Sequence, residues 1–289
     1  MREIPSREQV LSLDGAELTY WTAGSGPCVL LANGLFRSEA VWRPLLGHFA
    51  DRYQLVWWRY RGLTPERFRD GEPAAPERHA RDALAILEAE GVPQAAVLGW
   101  SMGVQVALEL YRAKPTQVAA LALVAGGARV AWGKRPEATF PGSHVPALLR
   151  LLRRLPEGAL TQGTRFMAFP EALAWARRMG LVGANVDAEL MAGVLREYAR
   201  MNPRASLEMA RVFETHDASD LLPRIKVPTL AVAAGRDPIT SRAAVEHLVT
   251  RVPGAEYLVL AAATHFVLLD HADHLHLRLD KFFYEHQYV

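Results

Sequence analysis

The chain holds little that could staple it or anchor it. One cysteine, Cys28, stands among 289 residues, so no intrachain disulfide can form. Set in a short apolar run, that cysteine reads as a small buried packing group rather than a reactive thiol. No stretch of about 18 apolar residues occurs, which excludes an ordinary membrane-spanning helix. The opening Met-Arg-Glu-Ile-Pro-Ser-Arg-Glu lacks the apolar core of a secretory signal, and the expected location is the cytoplasm. Formal net charge is only +2, far from the basic balance of a nucleic-acid binder, so no nucleic-acid partner is expected. Internal repeats and low-complexity segments are absent as well. What the chain does have is apolar residues, 50% of the total. At this length it can bury most of its unfolded surface without a covalent or metal staple.

Those apolar residues fall in a rhythm. Val10, Leu11 and Leu13 lead into Asp14-Gly15, a two-residue turn signal, and Leu18, Tyr20 and Trp21 continue beyond it as a hairpin. Short apolar runs follow at 28–32, 55–58, 95–98 and 118–125. Helical spacing separates them, around Val41 to Phe49, Ala80 to Leu87 and Val104 to Tyr111. Continuous apolar runs alternating with helices predict parallel strands buried on both faces. From about Arg129 to Ser219 the strands cease. Val145 to Leu155, Leu190 to Tyr198 and Leu207 to Phe213 all keep helical spacing, which predicts an all-helical insertion. The strand–helix rhythm then resumes at Thr229 to Val232, with a helix near 242–251, a last strand at 257–260 and a final helix from about Asp273. The expected organisation is a core of 1–128 and 220–289 with a helical cap of 129–219.

Sheets of this kind carry their sites at the carboxyl ends of the strands. One such end reads Gly99-Trp100-Ser101-Met102-Gly103, a Gly-x-Ser-x-Gly pattern placed directly between an apolar strand and a helix. Glycines flank the serine because a sharp strand-to-helix turn leaves no room for side chains there. A serine hydroxyl needs a base to take its proton, and the base must come from another strand end. Of ten histidines, His265 is singled out by its place just past the last strand. His271, His274 and His276 read as a solvated helix face and present no metal-ligand set; no metal is expected. His48, His79, His144, His216, His247 and His286 read as surface or capping groups. An acid must orient the imidazole, and Asp237 follows the penultimate strand in Gly235-Arg236-Asp237-Pro238. Its competing reading is an Asx-turn or helix-capping residue. Asp270 and Asp273 lie too close in sequence to His265 to be favoured.

The order Ser101, Asp237, His265, together with the elbow and the His-Phe-Val-Leu-Leu-Asp segment at 265–270, resembles the α/β-hydrolase fold superfamily with a helical cap. The resemblance spans nearly the whole chain. It implies a mostly parallel eight-stranded sheet with helices on both faces, and a serine hydrolase that needs no cofactor. It also implies an oxyanion hole from the backbone N–H of Met102 and of Leu35, with Phe36 as a lesser possibility. Asn33-Gly34 stands where relatives carry His-Gly, and Arg59 stands where many carry Asp. A serine at the elbow argues against haloalkane dehalogenases and epoxide hydrolases, which place Asp there. The implied chemistry is acyl transfer to water from carboxylic esters of small to medium apolar acids. A lactonase, a C–C bond hydrolase, a perhydrolase, an acyltransferase or a weakly catalytic ligand receptor stays open. Phe36, Trp100, Phe166, Met167 and Phe266 are the candidate pocket residues.

Overall fold

The computed structural model describes residues 4–35, 39–61, 75–129 and 150–288. Phe36, the link at 62–74 and most of the helical pattern from Val145 lie outside the described residues. β1 (Arg7–Leu13) and β2 (Ala16–Ala23) pair antiparallel, with Leu13 opposite Ala16. Asp14 and Gly15 join them at φ 52° and 73°, the two left-handed positions that a tight hairpin requires.

The remaining strands are β3 (Cys28–Ala32), β4 (Gln54–Trp58), β5 (Ala95–Trp100), β6 (Val118–Val124), β7 (Thr229–Ala234) and β8 (Glu256–Leu260). Together they form one eight-stranded sheet in the order β1-β2-β4-β3-β5-β6-β7-β8. Only the pairings of β2 with β1 and β4 are antiparallel. β3, β5 and β7 are buried at every position, which is why they read as unbroken apolar runs. Cys28 lies in β3, and burial pushes its thiol up to about 12.

Helices α1 (Arg43–Phe49), α2 (Pro76–Ala89) and α3 (Gly103–Ala113) connect the first parallel strands. Between β6 and β7 the chain inserts α4 (Glu157–Phe166), α5 (Pro170–Arg178), α6 (Ala188–Ala199) and α7 (Pro203–Thr215). Asp187 and Asn202 start the last two, each accepting a backbone N–H three residues on. α6 buries Leu190, Met191, Val194, Leu195 and Tyr198, the stripe its sequence spacing predicts. The root of the insertion is a narrow neck. Ala218 N–H donates to Ala128 O at 3.0 Å, and Arg129 bridges Asp217.

After β7 come α8 (Arg242–Val249), a one-turn α9 (Val267–Asp270) and α10 (Ala272–Glu285). The last strand therefore returns through α9, an element the sequence pattern did not show. Three histidines depart from their expected surface positions. His276 is 4% exposed on the inner face of α10, and His79 is fully buried. The side chain of His216 is also buried, against Glu109. Each of the three belongs to a different element, and each faces the packed side of it. Among the described residues no helix is long and apolar enough to cross a membrane.

Candidate active site

The sheet changes direction between β3 and β5: the chain leaves β3 for β4 on one side and returns to β5 on the other. The crevice above that switch is where open α/β sheets bind their ligands. Ser101 follows β5 and Leu35 lies three residues beyond β3, so both stand at its mouth.

Ser101 has φ 57°, a left-handed conformation that an L side chain adopts only under constraint. The constraint is the packing of the elbow. A Cβ on Gly99 would stand 2.3 Å from Gly103 O, and one on Gly103 only 2.0 Å from Ala32 O. On the neighbouring strand end, a Cβ on Gly126 would meet Ser101 O at 2.3 Å. Met102 sits at the N-cap of α3, where helix N–H groups have no intrahelical acceptor.

Three side chains from three strand ends converge. His265 Nε2 lies 3.0 Å from Ser101 Oγ, and His265 Nδ1 lies 2.8 Å from Asp237 Oδ2. Ser101, Asp237 and His265 are 5%, 4% and 4% exposed, so the contacts are made out of bulk water. A proton on Nδ1 directed at Asp237 leaves Nε2 as an acceptor for the serine hydroxyl. Asp237 also fills its competing role: its Oδ1 accepts from Ile239 N–H at 2.7 Å and Thr240 N–H at 2.9 Å, an Asx turn. One oxygen thus fixes the loop while the other faces the imidazole. Gly235 makes the turn possible, since a Cβ there would stand 2.3 Å from Ala261 O.

The sequence pattern did not show how this arrangement is held. Asp270, set aside as too near His265, is buried and accepts from Thr264 N–H at 2.9 Å and Thr264 Oγ–H at 2.6 Å. It clamps the residue before the histidine. Trp100 Nε1–H donates to His265 O at 3.0 Å, and its ring packs 5.5 Å from that of Phe266. Asn33 is held on three sides: Trp42 Nε1–H donates to its Oδ1, its Nδ2 donates to Trp58 O at 2.8 Å, and Tyr60 O–H donates to its carbonyl at 2.8 Å. No local pattern announces the partners of Asn33, because none lies on the strand that leads into it.

The pocket candidates divide. Trp100 and Phe266 are buried beside His265, and Met167 packs partly buried against the core. Phe166 is 47% exposed and lies 6.5 Å from the ring of Phe169, itself exposed. Phe166, a pocket candidate from the sequence, thus stands on α4 with about half of its surface open to solvent. Arg59, standing where many relatives carry Asp, lies over the Trp21 ring at 5.2 Å. Arg61 makes the buried pair of this segment, with Nε 2.7 Å from Asp82 Oδ2.

Fold and site geometry together describe a hydrolase of the α/β class. The chain belongs to the alpha/beta hydrolase fold family, whose model matches residues 27–272. It is 29% identical over 259 residues to a pimeloyl-(acyl-carrier protein) methyl ester esterase of Stenotrophomonas maltophilia, covering 90% of this chain and 93% of the relative. A protein of Azorhizobium caulinodans named as a carbamate hydrolase, RutD, is 29% identical over 227 residues, covering 77% and 78%. Among solved structures, the enol-lactonase from Burkholderia xenovorans LB400 superposes with a TM-score of 0.75 at 20% identity, over 95% of this chain and 99% of that one.

Proposed function

We propose that the protein is a serine esterase that cleaves carboxylic esters of small to medium apolar acids through an acyl-enzyme on Ser101. The observation that carries this reading is the Ser101–His265–Asp237 alignment, at 3.0 and 2.8 Å, behind a serine held at φ 57°. Ser101 Oγ attacks the ester carbonyl carbon while His265 Nε2 takes the hydroxyl proton. Asp237 holds the imidazole in the required tautomer and stabilises its cationic form. The N–H groups of Met102 and Leu35 receive the oxyanion, each contributing about 3 kcal/mol of transition-state stabilisation. His265 returns the proton to the departing alkoxide. A water then attacks the acyl carbon by the same route and frees Ser101. Residues 129–219 act as the cap that decides the acyl group, over a core of 1–128 and 220–289.

The esterase relative, matched over nearly its whole length, favours a carboxylic ester over the lactone and C–C alternatives. Apolar Trp100 and Phe266 beside the site favour an apolar acyl group. The test is a panel of p-nitrophenyl acyl esters with wild type and Ser101→Ala, together with a serine-directed phosphonate. Steady turnover, its loss by about 10⁴-fold or more in the variant, and phosphonate labelling at Ser101 alone are the expected results. A single acylation burst without turnover would assign a receptor instead. Near-normal hydrolysis by the variant would sink the mechanism.

A further inference from the structure

A cluster of side chains able to ligate a metal lies at the neck of the helical insertion. Glu77 comes from the first turn of α2, Glu109 from α3, and His216 from the residue that ends α7. His216 Nε2 lies 3.0 Å from Glu109 Oε1 and 3.6 Å from Glu77 Oε1. One donor atom from each residue falls within 4.8 Å of the other two. We propose that Glu77, Glu109 and His216 form a binding site for a borderline divalent cation such as Zn²⁺, fastening the root of the insertion to the core.

The spacing suits the ion. Donors bonded to zinc at about 2.0–2.1 Å in a tetrahedral arrangement stand roughly 3.3 Å apart, between the two measured separations. An imidazole with two carboxylates is a donor set for zinc and its neighbours rather than for calcium, which takes six to eight oxygens. The Glu109 and His216 side chains are 6% and 5% exposed, whereas that of Glu77 is 53% exposed. Two ligands are therefore fixed by packing, and the third is free to close on an ion arriving from solvent. Arg112 does not block the position. Its Nε donates to Glu109 Oε2 at 3.0 Å, the oxygen turned away from His216, and Asp220 holds its other end at 2.8 Å.

The three ligands come from segments far apart in sequence. His216 directly precedes the Asp217 bridge and the Ala218 hydrogen bond that close the neck. A cation there would tie α2, α3 and the end of α7 at one point. The effect belongs to folding and to the seating of the insertion, not to the chemistry at Ser101.

The experiment is calorimetric titration of EDTA-treated, dialysed full-length protein with Zn²⁺, paired with thermal unfolding. Wild type should bind one ion. Its Tm should rise by about 5 °C at a hundredfold excess over Kd. Glu77→Gln and His216→Asn should each weaken binding by at least about tenfold and remove the rise in Tm. Glu77 is exposed, so Glu77→Gln keeps the test decisive even where His216→Asn fails to fold. His265→Asn serves as a control that should retain the site. Binding unchanged in Glu77→Gln, no measurable binding in wild type, or binding lost only in His265→Asn would each overturn the proposal.

Discussion

Asn33 shows how much of this site is set by single hydrogen bonds. It precedes Gly34 and Leu35, the segment whose N–H the proposed oxyanion hole uses, and its own carbonyl accepts from Tyr60 O–H at 2.8 Å. The Tyr60 ring stacks on His79 at 4.0 Å, so the hydroxyl is aimed by packing. Burial pushes the Tyr60 phenol well above its ordinary range, which keeps it a neutral donor. Tyr60 is therefore a positioning residue. Tyr60→Phe removes one oxygen and little volume; it should lower kcat about tenfold with KM nearly unchanged, because the loop orients the transition state more than the ground state. Stability should fall by only about 1 kcal/mol. An unaltered kcat in a folded variant would remove Asn33 and Tyr60 from the account. Legibility divides along the same line. Ser101 could be read from sequence because its strained turn imposes glycine two residues to either side, at 99 and 103. Asp237 and His265 could be read because each lies in the loop that follows a strand, three residues after β7 and five after β8. Trp42 and Tyr60 could not, because tertiary packing brings Asn33 to them, and Asp270 was passed over because its nearness to His265 hid its local clamp on Thr264.

At the scale of elements, buried strands were legible since both faces demand apolar residues, and the hairpin was legible through Asp14-Gly15. Helix faces were less so, and α10 shows why. His276 lies among His274, Arg278 and Asp280 in sequence, yet it packs inward with Leu275, Leu279, Phe282 and Phe283. Its ring stacks on His48 of α1 at 4.7 Å and lies edge-on to Phe49 at 5.7 Å. Burial lowers its pKa from 6.5 to about 4, and the neighbouring His48 adds to the shift. The sign follows from linkage. The folded state keeps His276 neutral while the unfolded chain takes up a proton below pH 6.5, so the stabilisation is present above that pH and is lost as pH falls from 6.5 towards 4. Between pH 7.5 and 5 the loss attributable to His276 should be about 2 kcal/mol. His276→Leu should flatten that part of the dependence in denaturant titrations at the two pH values. A variant whose stability falls as steeply as that of wild type would show that another group carries the acid sensitivity of the α1–α10 contact.

At the scale of the whole molecule, the inserted helices and the site are mechanically joined. Glu197 on α6 accepts the Glu39 backbone N–H at 2.8 Å, on the segment that leads from the Leu35 loop into α1. Asn185 Nδ2 donates to the carbonyl of Asp270, whose side chain clamps Thr264 before the catalytic-candidate histidine. Gly183 allows that approach, since a Cβ there would stand 2.9 Å from Asp270 Cβ. The insertion therefore rests on both loops flanking Ser101, which is 5% exposed. If a substrate reaches this serine through opening of the seat, a bulky acyl group needs more opening than an acetyl group. Each hydrogen bond at the seat is worth about 1 kcal/mol, or roughly fivefold in an opening equilibrium. Glu197→Ala and Asn185→Ala should each raise the kcat/KM of long-chain or aryl esters relative to acetate by about that factor, and more when combined. The measurement is the ratio of kcat/KM for p-nitrophenyl octanoate and acetate in wild type and the variants. A ratio that stays constant while absolute rates change would mean that the acyl group is selected within a fixed pocket, and that the insertion acts as a wall rather than as a gate.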